Sequence, residues 1–314
     1  MDRNLLNDPV VKNALLATPG GFAWLASEGA WQLAGHLKVI NRYLTRLVAR
    51  DITRLVINVP PRSGKSELIS KYFPAWYLGN YPDNRVILAS YGSEFASTWG
   101  RKSRDILQEC GMELFGIEVR TDSSAADRWD VKHHAGGMKT TGVGSALTGM
   151  GSDLLILDDV TKDSREADSQ IIRDRTWDWW LSTAYTRLQT NGIVCFISTR
   201  WHEDDLTGRI LAHEREDPFG AKWTVLSMPA IAEEDEDWGV WSRKKGEALW
   251  PAKYPLEVLE QIRHDQTSKF GSRWWDSLYQ QRPTAEKGRL FLKDYFRYYD
   301  LDWDHDNKVS TQVY

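Results

Sequence analysis

Gly64-Lys65-Ser66 closes a short run, Pro60-Pro61-Arg62-Ser63-Gly64-Lys65-Ser66-Glu67, set between an apolar segment and a helix-forming one. A glycine, a lysine and a hydroxyl in that setting suit a phosphate. Backbone N–H groups wrap its oxygens, the ammonium reaches the outer phosphates and the hydroxyl takes Mg²⁺. The full Walker A pattern, G-x-x-x-x-G-K-[ST], has a first glycine where this chain has Val59. Further along, Leu154-Leu155-Ile156-Leu157-Asp158-Asp159 is an apolar run ending in two carboxylates, the form of a Walker B strand. A strand that delivers Asp158 beside the loop lets it hold Mg²⁺ with Ser66, and Asp159 is then the acid-base group that orients the attacking water. The plain alternative is a strand ending in a helix cap, which the preceding phosphate loop disfavours. A third run, Cys195-Phe196-Ile197-Ser198-Thr199-Arg200-Trp201-His202, ends in hydroxyls placed to sense a γ-phosphate beside the Walker B strand. His202 with Glu203, Asp204 and Asp205 lacks the ligand set of a metal site.

These residues need a sheet to position them. From Arg54 the chain alternates apolar strand-like runs with helical ones, at 54–59, 85–90, 153–157, 192–198 and 223–228, as an α/β protein with crossover helices does. Continuous apolar runs suit a mostly parallel sheet covered on both faces. Helices are predicted over 65–78, 93–109, 168–188 and 203–214, the last two opening with Asp168 and with Glu203-Asp204-Asp205. The glycine-rich stretch 136–151 reads as tight turns or close backbone approach. Beyond an acidic loop at Glu233–Asp237, two helices are predicted over 255–266 and 268–281. The expected organisation is an N-terminal helical segment (1–53), a core (54–230), a small helical lid (231–298) and a tail (299–314).

Composition sets the class without naming a partner. Hydrophobic residues are 41% and charged residues 27% of 314, ordinary for a globular chain. The apolar runs are short, so no membrane segment is expected. Cys110 and Cys195 stand far apart, and no disulfide scaffold is expected. A net charge of −4 gives no overall basic footprint for nucleic acid. Lys38, Arg42, Arg46 and Arg50 form a stripe opposite Leu37, Ile40, Leu44, Leu47 and Val48. A solvated helix face is its ordinary role. Sixteen tryptophans, with Trp177, Trp179 and Trp180 close together and Trp274 beside Trp275, suit core and subunit interfaces, with base stacking as the alternative.

Three of these segments together resemble the large terminase subunits of tailed bacteriophages: Pro60 to Glu67, Thr141-Gly142-Val143-Gly144 through Asp158-Asp159, and Ser198 to Leu206. Leu249-Trp250-Pro251 and Tyr279-Gln280-Gln281-Arg282-Pro283 extend the resemblance over about residues 30–300. It implies an ASCE-type P-loop NTPase fold with a lid, and an ATP- and Mg²⁺-dependent motor. Such a motor assembles as a homo-oligomeric ring on a portal protein, works with a small terminase subunit and pumps double-stranded DNA. The host cytoplasm is the implied setting, in a packaging complex absent from the mature virion. By the same resemblance Arg62, Ser63, Gly64, Lys65, Ser66 and Glu67 cradle nucleotide, Asp158 holds Mg²⁺ through water or directly, and Ser198-Thr199 form the coupling motif. Arg62 stands where relatives carry a P-loop arginine that reaches the γ-phosphate, and Gln32 and His36 are candidates for adenine.

Two departures stand out. Asp159 is one methylene shorter than the glutamate of many relatives, and Met150 stands where they often have an arginine. Lys139, Arg101 or Arg200 would then replace that arginine. Such subunits also carry an RNase H-like nuclease domain. The chain ends where its first strand would begin, so 299–314 is expected to be a linker and no DNA cleavage is expected. The rival readings are another P-loop translocase, a small-molecule kinase, or a nucleotide-dependent DNA- or portal-binding module without hydrolysis of its own.

Overall fold

A computed structural model describes residues 8–283 apart from Thr148 and Pro218; the tail at 299–314 and the end of the expected lid lie outside the described residues. Three helices come first: α1 (Pro9–Leu16), α2 (Pro19–Ala26) and α3 (Gly35–Val48). Asp8 and Thr18 cap the first two, each with a proline at the opening of the helix. In α3 the buried side chains include Leu37, Ile40, Leu44 and Leu47, the apolar stripe expected of it. Three residues of the basic stripe are tied to protein groups, and Lys38 is exposed. Arg42 donates to the Trp238 carbonyl at 3.1 Å, Arg46 lies 3.9 Å from Asp51, and Arg50 donates to the Asn191 carbonyl.

The sheet holds eight strands: β1 (Arg54–Asn58), β2 (Arg85–Ser90), β3 (Val119–Ser124), β4 (Arg128–Val131), β5 (Gly137–Gly142), β6 (Ser152–Asp158), β7 (Leu188–Ser198) and β8 (Thr224–Ser227). Their order across it is β3-β4-β5-β2-β6-β7-β1-β8. All pairs from β5 to β8 are parallel, and β3, β4 and β5 pair antiparallel at one edge. All five expected strands are present.

Alternate residues of the central strands fill separate cores on the two faces. Leu55, Ile57, Leu154, Ile156 and Cys195 belong to one, and Val56, Leu155, Leu157, Val194 and Phe196 to the other. Trp179 and Trp180 lie in the second core, so these tryptophans pack the fold. Trp275 belongs to a third, small cluster with Ala230, Ala248 and Leu259.

Several expected elements are corrected. The glycine-rich stretch contains β5, and its glycines do allow close approach: a side chain at Gly137 would meet the Trp129 carbonyl at 2.4 Å. The helix after the P-loop starts at Lys65 as expected, widens into a π-helix (Glu67–Tyr72) and continues as α4 (Phe73–Asn80); α5 (Ser93–Phe115) then crosses from β2. Asp168 does not open a helix. It ends α6 (Ser164–Asp168), and Ser169 caps α7 (Gln170–Trp179) with its own side chain. Asp205 is the cap of α8 (Leu206–Glu216), accepting the Gly208 N–H at 2.9 Å. Further on lie the short antiparallel strands β9 (Glu236–Asp237) and β10 (Ser242–Arg243), then α9 (Leu256–Phe270) and a π-helix (Trp275–Tyr279) in place of the second expected helix.

Candidate nucleotide site

Parallel order carries β1, β6 and β7 to one end of the sheet, where an open α/β sheet places its ligands. Register aligns their last residues: Asn58 pairs with Ser198, and Asp158 with Ile197. The strand that ends in hydroxyls therefore lies between the P-loop strand and the strand that ends in carboxylates. Between β1 and the following helix the loop makes its turn through Arg62 at φ 58° and Gly64 at φ 84°. Both are left-handed conformations, which glycine adopts freely and arginine only at a cost.

At this end the predicted residues meet. Lys65, almost fully buried, donates from Nζ to the Thr199 hydroxyl at 2.8 Å and lies 3.2 Å from Asp159 Oδ2. The other Asp159 oxygen accepts the Thr199 N–H at 2.7 Å. Asp158 is wholly buried and accepts from Ser66 Oγ at 3.0 Å and from Ser70 Oγ at 2.7 Å. Burial, then the charge of Asp159, push Asp158 up to about 7, while Ser70, Lys65 and Ser66 pull the other way.

Not every candidate turns inward. Ser198 Oγ donates to Asn58 Oδ1 at 3.0 Å and lies 3.1 Å from the Thr207 hydroxyl, so it joins strand ends to α8 and leaves Lys65 to Thr199. Glu67 forms an ion pair with Lys71 at 2.8 Å. The Arg62 side chain is exposed, while its carbonyl accepts from Lys253 Nζ at 2.7 Å. Among the stand-ins for the arginine missing at position 150, Arg200 is committed to Asp205 at 2.7 Å and Arg101 is exposed on α5. His202 accepts the Asp204 N–H at 3.0 Å through Nδ1.

His36 has a different place from the one expected. Its ring is buried under Trp250, 5.4 Å between centroids, with Nε2 at 2.7 Å from the Ser63 carbonyl. A carbonyl only accepts, so Nε2 carries the proton and donates. The imidazole thus clamps the P-loop from outside. Burial lowers its pKa to about 4 against the usual 6.5. The unfolded chain then binds the extra proton between those values, so this contribution to stability is full above about pH 6.5 and is lost as pH falls towards 4. Replacing His36 by Ala should lower stability by about 1–3 kcal/mol, the cost of leaving a buried partner unmade. Nucleotide affinity should fall with it. A nucleotide titration of the folded variant that matches wild type would exclude the clamp.

Beside the clamp a cavity of about 430 Å³ is lined by Gln32, Gly35, Trp241, Leu249, Trp250 and Pro251, among others. Trp250 also borders Gly64, from whose missing Cβ it would stand 3.6 Å. Two residues escaped sequence reasoning here. Ser70 looks like any polar position of an amphipathic helix, and Lys253 lies far from the loop it touches.

A family model for the N-terminal part of the T4likevirus-type terminase large subunit matches residues 56–249, well over half of the chain. The chain belongs to that family. Among solved structures it resembles the ATPase domain of the Thermus phage P74-26 large terminase, solved as a point mutant, at 15% identity and a TM-score of 0.54; the match covers 83% of this chain and 97% of that one. That likeness is one of fold: a P-loop sheet of mostly parallel strands flanked by helices. The HK97 bacteriophage large terminase matches at 13% identity over 76% of this chain, with a TM-score of 0.46. A large terminase from a thermophilic bacteriophage, solved with ATP-γ-S, matches at 11% over 78%, with a TM-score of 0.45. This terminase chain spans about half the length of those two, 50% and 51%. No protein of curated function matches it in sequence.

Proposed function

We propose that this terminase chain is an ATP-hydrolysing motor domain that couples Mg-ATP hydrolysis to movement of double-stranded DNA into a procapsid. The observation that carries the reading is the convergence of Lys65, Ser66, Asp158, Asp159 and Thr199 within hydrogen-bond reach at one end of the sheet. The Thermus phage relative, itself named an ATPase domain, supports it.

The residues fit the group they would hold. Ser66 and Asp158 offer hard oxygen donors 3.0 Å apart, and among the described residues no set of three or more His, Cys, Asp or Glu side chains is built to cage an ion. That suits Mg²⁺, which takes one or two protein oxygens and fills its shell with phosphate and water. Bound there, it would neutralise phosphate charge. Lys65 would exchange Thr199 and Asp159 for the outer phosphates, and the freed Asp159 carboxylate would orient water. Because Thr199 continues towards the cap of α8, that exchange also gives the nucleotide state a route out of the site. The base would enter the cavity beside Gln32 and Trp250.

The wider organisation is part of the same reading. On this reading residues 54–230 are the core, the helices described before it are an N-terminal helical segment, and a lid that begins at 231 turns against the core as nucleotide changes; the lid's expected end at 298 lies outside the described residues. A homo-oligomeric ring, a portal protein, a small terminase subunit and the host cytoplasm complete it. Among the described residues no helix is long and apolar enough to cross a membrane.

A second reading has one observation behind it: both Asp159 oxygens are engaged, by Thr199 and Lys65. A carboxylate that stayed so held would leave a nucleotide-dependent DNA- or portal-binding module without hydrolysis. Phosphate release from Mg-ATP, measured with and without double-stranded DNA at rising protein concentration, separates the two. DNA-stimulated turnover is expected, rising more steeply than protein concentration where a neighbouring subunit supplies a cation. Stoichiometric ATP binding without turnover would instead select the binding module.

A further inference from the structure

Hydroxyls inside helices ordinarily bond back to the carbonyl one turn earlier. This chain follows the habit at Thr45, Thr98, Thr176 and Ser182, each donating to the carbonyl four residues before it. Ser70 breaks it. Fully buried, its hydroxyl crosses to the sheet and donates to Asp158 Oδ2 at 2.7 Å, the shorter of the two bonds that carboxylate accepts from serines.

The backbone explains the reach. Ser66 and Ser70 stand four residues apart, and the segment that follows Ser66 and contains Ser70, Glu67–Tyr72, is π-helical. Such widened turns are rare and concentrate at functional sites. Here the turn sets both hydroxyls on the side facing β6, so Asp158 is gripped by one serine on each oxygen. A carboxylate has about four lone-pair positions. Two are taken, and the rest remain for a cation.

We propose that Ser70 is a positioning residue for the metal: it fixes the rotation of the Asp158 carboxylate so that its free lone pairs face the ion held with Ser66. This rests on the reading of Asp158 and Ser66 as the Mg²⁺ donors. The division of labour follows from the geometry. Ser66 must give its hydroxyl oxygen to the ion and changes role as metal binds. Ser70 stays on Oδ2 throughout and preserves the orientation between turnovers. Partners that orient a metal-binding carboxylate typically contribute 10- to 100-fold in metal affinity.

The test uses Mn²⁺ as the probe, titrated into the ADP complex and followed by electron paramagnetic resonance, with metal-free ADP affinity measured alongside. Asp158→Asn should lose Mn²⁺ binding; if it binds as wild type does, the reading of the metal site fails. Given that loss, Ser70→Ala should weaken Mn²⁺ by about 10- to 100-fold while ADP without metal binds as before. Ser70→Cys, which keeps the volume and offers only a weak donor, should fall between and serves also where the Ala variant does not fold. Equal Mn²⁺ affinity in wild type and the Ser70 variants would overturn the proposal. So would a parallel loss of metal-free ADP binding, which marks a role in the fold alone.

Discussion

Lys65→Ala should bring phosphate release from Mg-ATP down by at least about 10² to 10³ in kcat, the loss that follows removal of one preorganised charge-stabilising donor. The expectation comes from where the ammonium stands. It is nearly buried, donating to Thr199 and paired with Asp159 at the end of β6, close enough to Asp158 to favour its charged form, and within the loop that would wrap phosphate. Turnover retained in this variant would remove the P-loop from the reaction altogether.

The same substitution should also destabilise the nucleotide-free chain, in a way that depends on pH. Breaking a fully buried ion pair by removing one partner costs about 3–5 kcal/mol. Asp159 keeps 26% of its side chain exposed, so water softens the loss, to roughly half of that. Without Lys65 the buried Asp158 loses a cation that favours its charged form, while the charge of the adjacent Asp159 continues to oppose it. Protonation relieves that repulsion. The melting temperature should therefore lie furthest below wild type in mildly alkaline buffer and approach it as the medium is acidified. Lys65→Ala combined with Asp159→Asn should melt above Lys65→Ala alone. A deficit that did not change with pH would mean that packing of the lysine stem carries the effect.

The elements that hold these groups were legible where burial imposes a pattern. Strands β1, β2 and β6 and the second half of β7 run as largely apolar segments because they are covered on both faces, and at the ends of β1, β6 and β7 the chemical residues follow directly. The antiparallel edge was not legible. In β5, Gly-Met-Lys-Thr-Thr-Gly, polar and flexible residues outnumber apolar ones, and its place is set by ladder bonds to β2 and by the close approach of Gly137 to Trp129. Arg128 and Asp130 flank Trp129 in β4, so one buried tryptophan is the main apolar signal of that strand.

In the site, Lys65, Ser66, Asp158 and Asp159 belong to contiguous motifs and could be read. Ser70, His36 and Lys253 act through contacts 88, 27 and 191 residues away in sequence, and spacing alone does not encode them. Ser198 shows the converse. Its motif was plain, but the pleat sends neighbouring side chains to opposite sides, and only Thr199 faces the lysine.

Arg62→Ala should lower kcat by about 10³ to 10⁵, the contribution of an arginine that meets charge developing on a transferred phosphoryl group, with ATP affinity nearly unchanged. The guanidinium is exposed at the mouth of the loop, so it is available to a phosphate that is not yet bound. Its backbone is the complication. At φ 58° the residue sits in left-handed space, and its carbonyl holds Lys253, so a substitution can disturb the loop as well as delete the charge. Glycine separates the two effects. Arg62→Gly removes the side chain from a conformation that glycine adopts without strain, and the carbonyl remains for Lys253. It should fold at least as well as Arg62→Ala and be just as slow. Arg62→Lys should recover only part of the rate, since an ammonium lacks the planar fork that engages two oxygens at once. Single-turnover rates beside equilibrium nucleotide binding decide the matter. Rate lost with affinity intact assigns the guanidinium to the transition state. Affinity lost in proportion to rate, in the glycine variant as well, would make Arg62 a ground-state phosphate contact and move the search for the catalytic cation to a neighbouring subunit.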